Sequence, residues 1–464
     1  MIDFATTFSA KPLRPLIPIV AFVLALAGCS SGSVGTIPSQ TSQPTPTLAR
    51  GSVLSMRYVT TFTTKQMNGD LGLEGQVITE IGGAPVCTAK LYLIVYQTIG
   101  TKGEPATASE GFFVPGSGCK PPFTLVGYGQ GTNIVRAQKI TNPTPKNIEP
   151  VSLASIFASH GYAVAATDYL GLGYSNYPYQ PYLNGNAEAS AIVDSMRAAR
   201  HAARTLHIQL AKKVFLTGYS QGGHSILSTQ KVIESENASE FRLIADSPGS
   251  GLYAMTRTML DLLAHPSAPQ KGGPVLWAYI MPGYQKAYGN VYGQAADIFR
   301  NPYATYIDTL LPVNTYAQAA ALNGKTLPRT GRELLQPAFQ TEFPIKTGIG
   351  ARVDLALNDL VGRWKPKAPV FLCAGSRDPV VEYKNSLLAY RFFRSEGVNV
   401  NLIDFDPLVP PSVPLSQYHD AGFVLCHVLE RVRILDSLTH PAHAGIPHFT
   451  LHGTIGPFES NVLP

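Results

Sequence analysis

Residues 214–227 read VFLTGYSQGGHSIL. One serine, Ser220, stands between Gly218 and Gly222. Gly-x-Ser-x-Gly is weak evidence alone, because glycine and serine are common in this chain and a short motif counts only in context. Here KVFLTG ahead of the serine reads as a strand, and QGGHSILSTQKVIES behind it reads as a helix. Ser220 therefore falls on a strand–turn–helix corner. So sharp a turn tolerates only small neighbours, supplied by Gly218, Gly222 and Gly223. It is expected to lift the hydroxyl above the C-terminal edge of the sheet. The Gln221 amide, at the helix N-terminus, can then face a developing oxyanion, aided by the helix dipole.

Outward from the corner, strand-like and helix-like stretches alternate. KLYLIVYQT and ASEGFFVP read as two opening strands. FTLVGYG, YAVAATD, FRLIADS, APVFLCAGS and VNVNLIDFD read as further strands. SLASIFASHG reads as a helix stopped by Gly161. EASAIVDSMRAARHAARTL places Ile192, Met196, Ala199, Ala203 and Leu206 on one helical face, with Arg197, Arg200 and Arg204 elsewhere. LLAYRFFRSEG and HDAGFVLCHVLERVRILDSL complete the helices. Strands separated by amphipathic helices predict an α/β protein with a mostly parallel sheet covered on both faces. The order matches the α/β-hydrolase fold: an antiparallel opening pair, then repeated βα units. Residues 251–360 break the alternation with helical patches punctuated by Pro and Gly. They read as a helical cap inserted after the sixth of these strands; a second independent domain is the alternative. The core is then 53–250 plus 361–464.

A serine hydroxyl is too weak an acid to attack an ester near neutral pH without a base, and the base needs an orienting carboxylate. In this fold they follow in chain order, serine, acid, histidine. The acid candidates are Asp246 after the sixth of these strands, Asp378 after the seventh, and Asp404 and Asp406 after the eighth. Asp378, in the glycine turn GSRDPVV, is favoured, although aspartate also serves simply to form turns. His419 precedes the last helix and is the expected base. His427 falls inside that helix, on a packed or solvated face. His440, His443, His448 and His452 lie in a Pro/Gly-rich tail, and His224 reads as a packing residue of the elbow helix. The second oxyanion donor should come from VGYGQGTNI, with the Thr132 amide first and Gly131 next; a plain strand-ending turn is the rival reading.

The chain has 464 residues, 45% of them hydrophobic and 14% charged, with a net charge of +6. Its basic residues form no run, so the charge points to solubility and away from nucleic-acid binding. Lys11 and Arg14 precede LIPIVAFVLALAG, too short to span a bilayer comfortably. That run ends LAGC at Leu26–Cys29, which resembles a lipobox: residues 1–28 read as a lipoprotein signal peptide with Cys29 as the lipidated residue. A Ser/Thr/Pro-rich tether follows to residue 52. The expected partners are thus a membrane, through that anchor, and a small-molecule or lipid ester. Export permits disulfides, and Cys87–Cys119 is the expected bridge among Cys87, Cys119, Cys373 and Cys426. No Cys or His spacing suggests a metal.

Over roughly residues 90–430 the chain resembles the secretory lipases of the lipase A type. The resemblance rests on GYGQGT, ATDYLGLG followed by YPYQPYL, GYSQGG, and GSRDPVV. It implies a Ser220–Asp378–His419 triad, a helical lid over an acyl pocket, carboxylic ester substrates and no cofactor. Many relatives carry His before Gly in the oxyanion turn, where this chain has Gln130. A serine peptidase of the same fold and a non-catalytic ligand-binding lipoprotein are the rival functions.

Overall fold

The computed structural model describes residues 48–439 except 70–71, 145–146, 265–272 and 323. Cys29, the signal peptide, most of the tether and the histidines from His440 onward lie outside the described residues.

Nine strands form one sheet: β1 (Val53–Phe62), β2 (Ala89–Ile99), β3 (Pro105–Pro115), β4 (Phe123–Gly129), β5 (Tyr162–Thr167), β6 (Leu210–Tyr219), β7 (Arg242–Gly249), β8 (Val370–Ala374) and β9 (Val400–Asp404). Their spatial order is β1-β2-β3-β5-β4-β6-β7-β8-β9. The first three are antiparallel, β3 meets β5 antiparallel, and from β5 onward every pairing is parallel. This is the expected α/β-hydrolase order with one addition. Three antiparallel strands open the sheet where two were expected. The extra one, β1, is an edge strand in which only Phe62 is buried, so VLSMRYVTTF carries no clean inside–outside alternation to announce it. Helices Thr64–Gly69 and Gly72–Gly82, which follow it, were not anticipated either.

The centre of the sheet is apolar throughout: every residue of β4 and β5 is buried, as parallel strands covered on both faces require. Helix Gly185–Thr205 covers one face. Ile192, Met196, Ala199 and Ala203 pack there with Leu125, Val214 and Leu216, while Arg204 stays exposed; the predicted helical face is the buried one, though Leu206 is only half-buried. The other face packs Val126, Phe215 and Val164 against Leu153, Phe157, Val428 and Leu435.

Between β7 and β8 the described chain is helical, from Met255–Ala264 to Gly350–Leu357. These helices share an apolar cluster around Trp277, Tyr284, Phe343 and Leu355, which also takes in Tyr182, Leu183 and Val381 from the sheet side. Among the described residues, no helix is long and apolar enough to cross a membrane.

Two disulfides are present. Cys87–Cys119 is the expected one. Cys373–Cys426 joins the end of β8 to helix Tyr418–Glu430.

Candidate active site

Ser220 lies between β6 and helix Gln221–Glu236, with φ 61° and ψ −120°. Positive φ in a non-glycine residue is strained and persists only where the surroundings enforce it. They do so through close backbone approach. A Cβ on Gly222 would stand 2.0 Å from the Gly129 carbonyl oxygen, and one on Gly223 would stand 2.4 Å from that of Gly249. The Ser220 amide donates to the same Gly249 carbonyl at 2.9 Å. Tyr169, Leu183 and Ser250 also have positive φ. Ser220 is only 9% exposed, and among the described residues its hydroxyl has no hydrogen-bond partner.

Asp378 sits in the loop after β8. Its Oδ1 accepts from the amides of Val380 and Val381 at 2.8 and 3.1 Å, closing a tight turn. Its Oδ2 lies 2.7 Å from Nδ1 of His419. One oxygen of this aspartate thus forms a turn and the other meets a histidine. A carboxylate only accepts, so Nδ1 carries the hydrogen, and in the neutral ring Nε2 keeps its lone pair. His419 is in the first turn of helix Tyr418–Glu430. Its ring packs on Tyr219, the residue before Ser220, with centroids 4.9 Å apart. The carboxyl side chain is fully buried and the imidazole is 14% exposed.

The other acids go elsewhere. Asp246 is inside β7, not after it, opposite Leu216 in register. It is fully buried, and burial, with Glu234 and Glu430 next in effect, raises its pKa well above the usual carboxylate value. Asp406 accepts from the Ser376 amide, and Asp404 from the Asp406 amide. His427 is packed inside its helix against Thr217 and Glu430.

The turn after β4 separates the two expected amide donors. The Gly131 amide is directed at Glu149 Oε1, 3.4 Å away, whereas the Thr132 amide has no partner among the described residues. The Thr132 hydroxyl meets the Tyr182 hydroxyl at 2.9 Å, and Tyr182 stacks flat on Tyr279 of helix Gly273–Tyr288. Burial raises the Glu149 pKa, against the hydrogen bond from Tyr128.

Several further residues shape this site. Tyr169 donates to the Gln130 carbonyl at 3.0 Å, holding the turn that carries Thr132. Asp168 accepts from Ser109 Oγ and the Ile140 amide, and burial pushes its pKa up to about 6. Both belong to the DYLGLG segment, so the motif marked them without revealing their contacts. His224 is more than packing: it is fully buried between Glu188 and the Asn358 carbonyl. Among the described residues, no cluster of His, Cys, Asp and Glu could hold a metal ion.

The family profile described as secretory lipase matches residues 142–262, from before β5 into the first helix beyond β7. The chain is similar to the crystal structure of the rice cell wall degrading esterase LipA from Xanthomonas oryzae. That similarity has 34% identity and TM-score 0.76, covering 84% of this chain and all of that one (100%). A protein from Legionella pneumophila, 24% identical over 82% of this chain and 96% of its own, has TM-score 0.69. Candida antarctica lipase A in its closed state, 15% identical over 83% and 91%, has TM-score 0.53; both of these likenesses speak to fold alone. A search of curated proteins finds no match. The sheet order, the serine elbow and the similarity to the Xanthomonas esterase over 84% of this chain converge: the chain belongs to the secretory lipase family of α/β-hydrolases, carboxylic ester hydrolases.

Proposed function

We propose that Ser220 attacks the carbonyl carbon of a carboxylic ester, with His419 as base and Asp378 as its orienting carboxylate. His419 Nε2 takes the hydroxyl proton as the Oγ–C bond forms. The ring then returns that proton to the alcohol oxygen as the C–O bond breaks, leaving an acyl-enzyme. Water, deprotonated by the same nitrogen, then attacks the acyl carbon, and the ring returns that proton to Ser220 Oγ as the C–Oγ bond breaks and the acid leaves. The negative oxygen of each tetrahedral intermediate is bound by the amides of Gln221 and Thr132. No group beyond the chain's own residues is needed.

The observation that carries this reading is the Asp378–His419 hydrogen bond at 2.7 Å, with the imidazole packed on the neighbour of a serine held at positive φ. The free hydroxyl of Ser220 does not oppose it, since catalytic hydrogen bonds often tighten only with substrate bound. The helices between β7 and β8 act as a cap over the acyl site, consistent with the low exposure of Ser220. The substrate is a small or lipid ester. The enzyme is exported, in keeping with its two disulfides, and is lipid-anchored through Cys29.

The test is hydrolysis of p-nitrophenyl esters of increasing acyl length by wild type and Ser220→Ala, with fluorophosphonate labelling of both. Removal of the nucleophile is expected to lower kcat by about 10⁶-fold and to abolish labelling. A Ser220→Ala enzyme that keeps its rate would overturn the assignment.

A further inference from the structure

Beneath the elbow lies a second acid–histidine pair that the mechanism above does not use. Glu188, in the first turn of helix Gly185–Thr205, directs its two carboxylate oxygens at different targets. Oε1 accepts from the side-chain Nε2 of Gln221 at 2.7 Å and from the Leu183 amide at 3.0 Å. Oε2 lies 2.9 Å from Nδ1 of His224. The other ring nitrogen, Nε2, lies 3.2 Å from the carbonyl oxygen of Asn358. That carbonyl can only accept, so Nε2 of His224 carries a hydrogen, and a further proton lies between Nδ1 and Oε2. Both side chains are excluded from solvent, at 0% and 2% exposure.

Gln221 is the residue whose amide the proposed mechanism aims at the oxyanion. Its side-chain Oε1 is buried without a partner, so among the described residues the bond to Glu188 is the one hydrogen bond holding the side chain. Glu188 also holds the amide of Leu183, another residue strained at φ 56°. Behind His224, Asn358 caps the C-terminus of helix Gly350–Leu357. The Asn358 side chain accepts from the Gly185 amide and donates to Tyr288 Oη. The chain of contacts therefore runs from the helices between β7 and β8, through His224 and Glu188, to the first residue past the elbow serine.

We infer that Glu188 is a positioning residue for the oxyanion hole: braced by His224, it fixes the Gln221 side chain and thereby the direction of the Gln221 amide. This rests on the proposed role of that amide. Oxyanion donors act only when held at the place where charge develops, and displacement of about 1 Å costs up to about 10²-fold in rate.

The test compares Glu188→Ala, Glu188→Gln, Gln221→Ala and the Glu188→Ala/Gln221→Ala double variant on p-nitrophenyl butyrate. Rates are expressed per site titrated with a fluorophosphonate, so that misfolded protein drops out. Glu188→Ala and Gln221→Ala are each expected to lower kcat about tenfold with KM within about twofold, the mark of an interaction made in the transition state. The double variant should be no slower than Glu188→Ala, because the Gln221 contact is already lost there. Glu188→Gln should recover most of the rate, since a glutamine can accept at Oε1 and donate to His224 Nδ1 from its amide nitrogen. Losses that multiply in the double variant, or a rise in KM alone, would overturn the inference. So would unchanged kcat in Gln221→Ala, which keeps the backbone amide and leaves the Glu188–His224 pair intact if Glu188→Ala fails to fold. Wild-type protein that the fluorophosphonate does not label would instead sink the reading of Ser220.

Discussion

Asp378 and His419 meet through one carboxylate oxygen, while the other oxygen closes the turn in which Asp378 sits. The aspartate is thereby aimed by its own backbone before it aims the imidazole. Asp378→Asn keeps an acceptor for the Val380 and Val381 amides but loses the charge that holds the imidazole. We expect kcat to fall by about 10³–10⁴-fold with little change in Tm. Asp378→Ala should lose the turn as well and melt lower. Kinetics on p-nitrophenyl butyrate together with thermal melts would check both; an asparagine variant with near-native kcat would remove Asp378 from the mechanism.

The Cys373–Cys426 bridge ties the strand leading to Asp378 to the helix that carries His419. Replacing both cysteines by alanine is expected to cost about 2–4 kcal/mol of stability and also to lower kcat per titrated site. Replacing Cys87 and Cys119, which join the segment before β2 to the segment after β3, should cost stability alone. Denaturant midpoints and active-site titration of the two variants would separate these effects.

Close backbone contact at the elbow makes Gly222→Ala a severe change. The added Cβ would stand 2.0 Å from the Gly129 carbonyl, and Gly129 opens the turn leading to Thr132. The backbone must move at both proposed oxyanion donors, so we expect kcat to fall by about 10²-fold or more. A crystal structure of the variant should show the two turns spread apart; a native rate would show that the elbow has slack.

His160 provides an acid-sensitive element remote from the site. Burial, then the nearby charge of Arg431, pushes its pKa down to about 3. The unfolded chain takes up this proton below about pH 6.5, whereas the folded chain resists until about pH 3. Stability from this group is therefore complete above pH 6.5 and is lost progressively as pH falls towards 3. Chemical denaturation across that range should show a smaller loss for His160→Phe than for wild type. An identical pH slope in the two proteins would contradict the assignment.

Much of the architecture was legible because it is written in local rules. VFLTGYSQGG combines a β-branched run with glycines at the positions where a Cβ would strike backbone, so strand, turn and helix follow from short-range sterics. The apolar face of helix Gly185–Thr205 follows from the 3.6-residue period, and β4 and β5 from uninterrupted apolar runs. The proximity of Asp378 and His419 followed from the order of strands in a recognisable fold.

What only the tertiary structure decided depends on residues far apart in the chain. β1 forms because β2 offers it a partner edge, not because its own pattern demands a strand. Asp246 and Asp378 both follow or lie in apolar strands; which one meets a histidine depends on where the last helix docks. The Gly131 amide is directed at Glu149 and the Thr132 amide is not, a distinction set by helix Glu149–Ile156 packing behind the turn. Glu188 and His224 are ordinary helical residues until two helices cross and bury them together. Local sterics and periodicity act within a few residues and can be read from the chain, whereas hydrogen-bond partners in a packed interior are chosen by the fold as a whole.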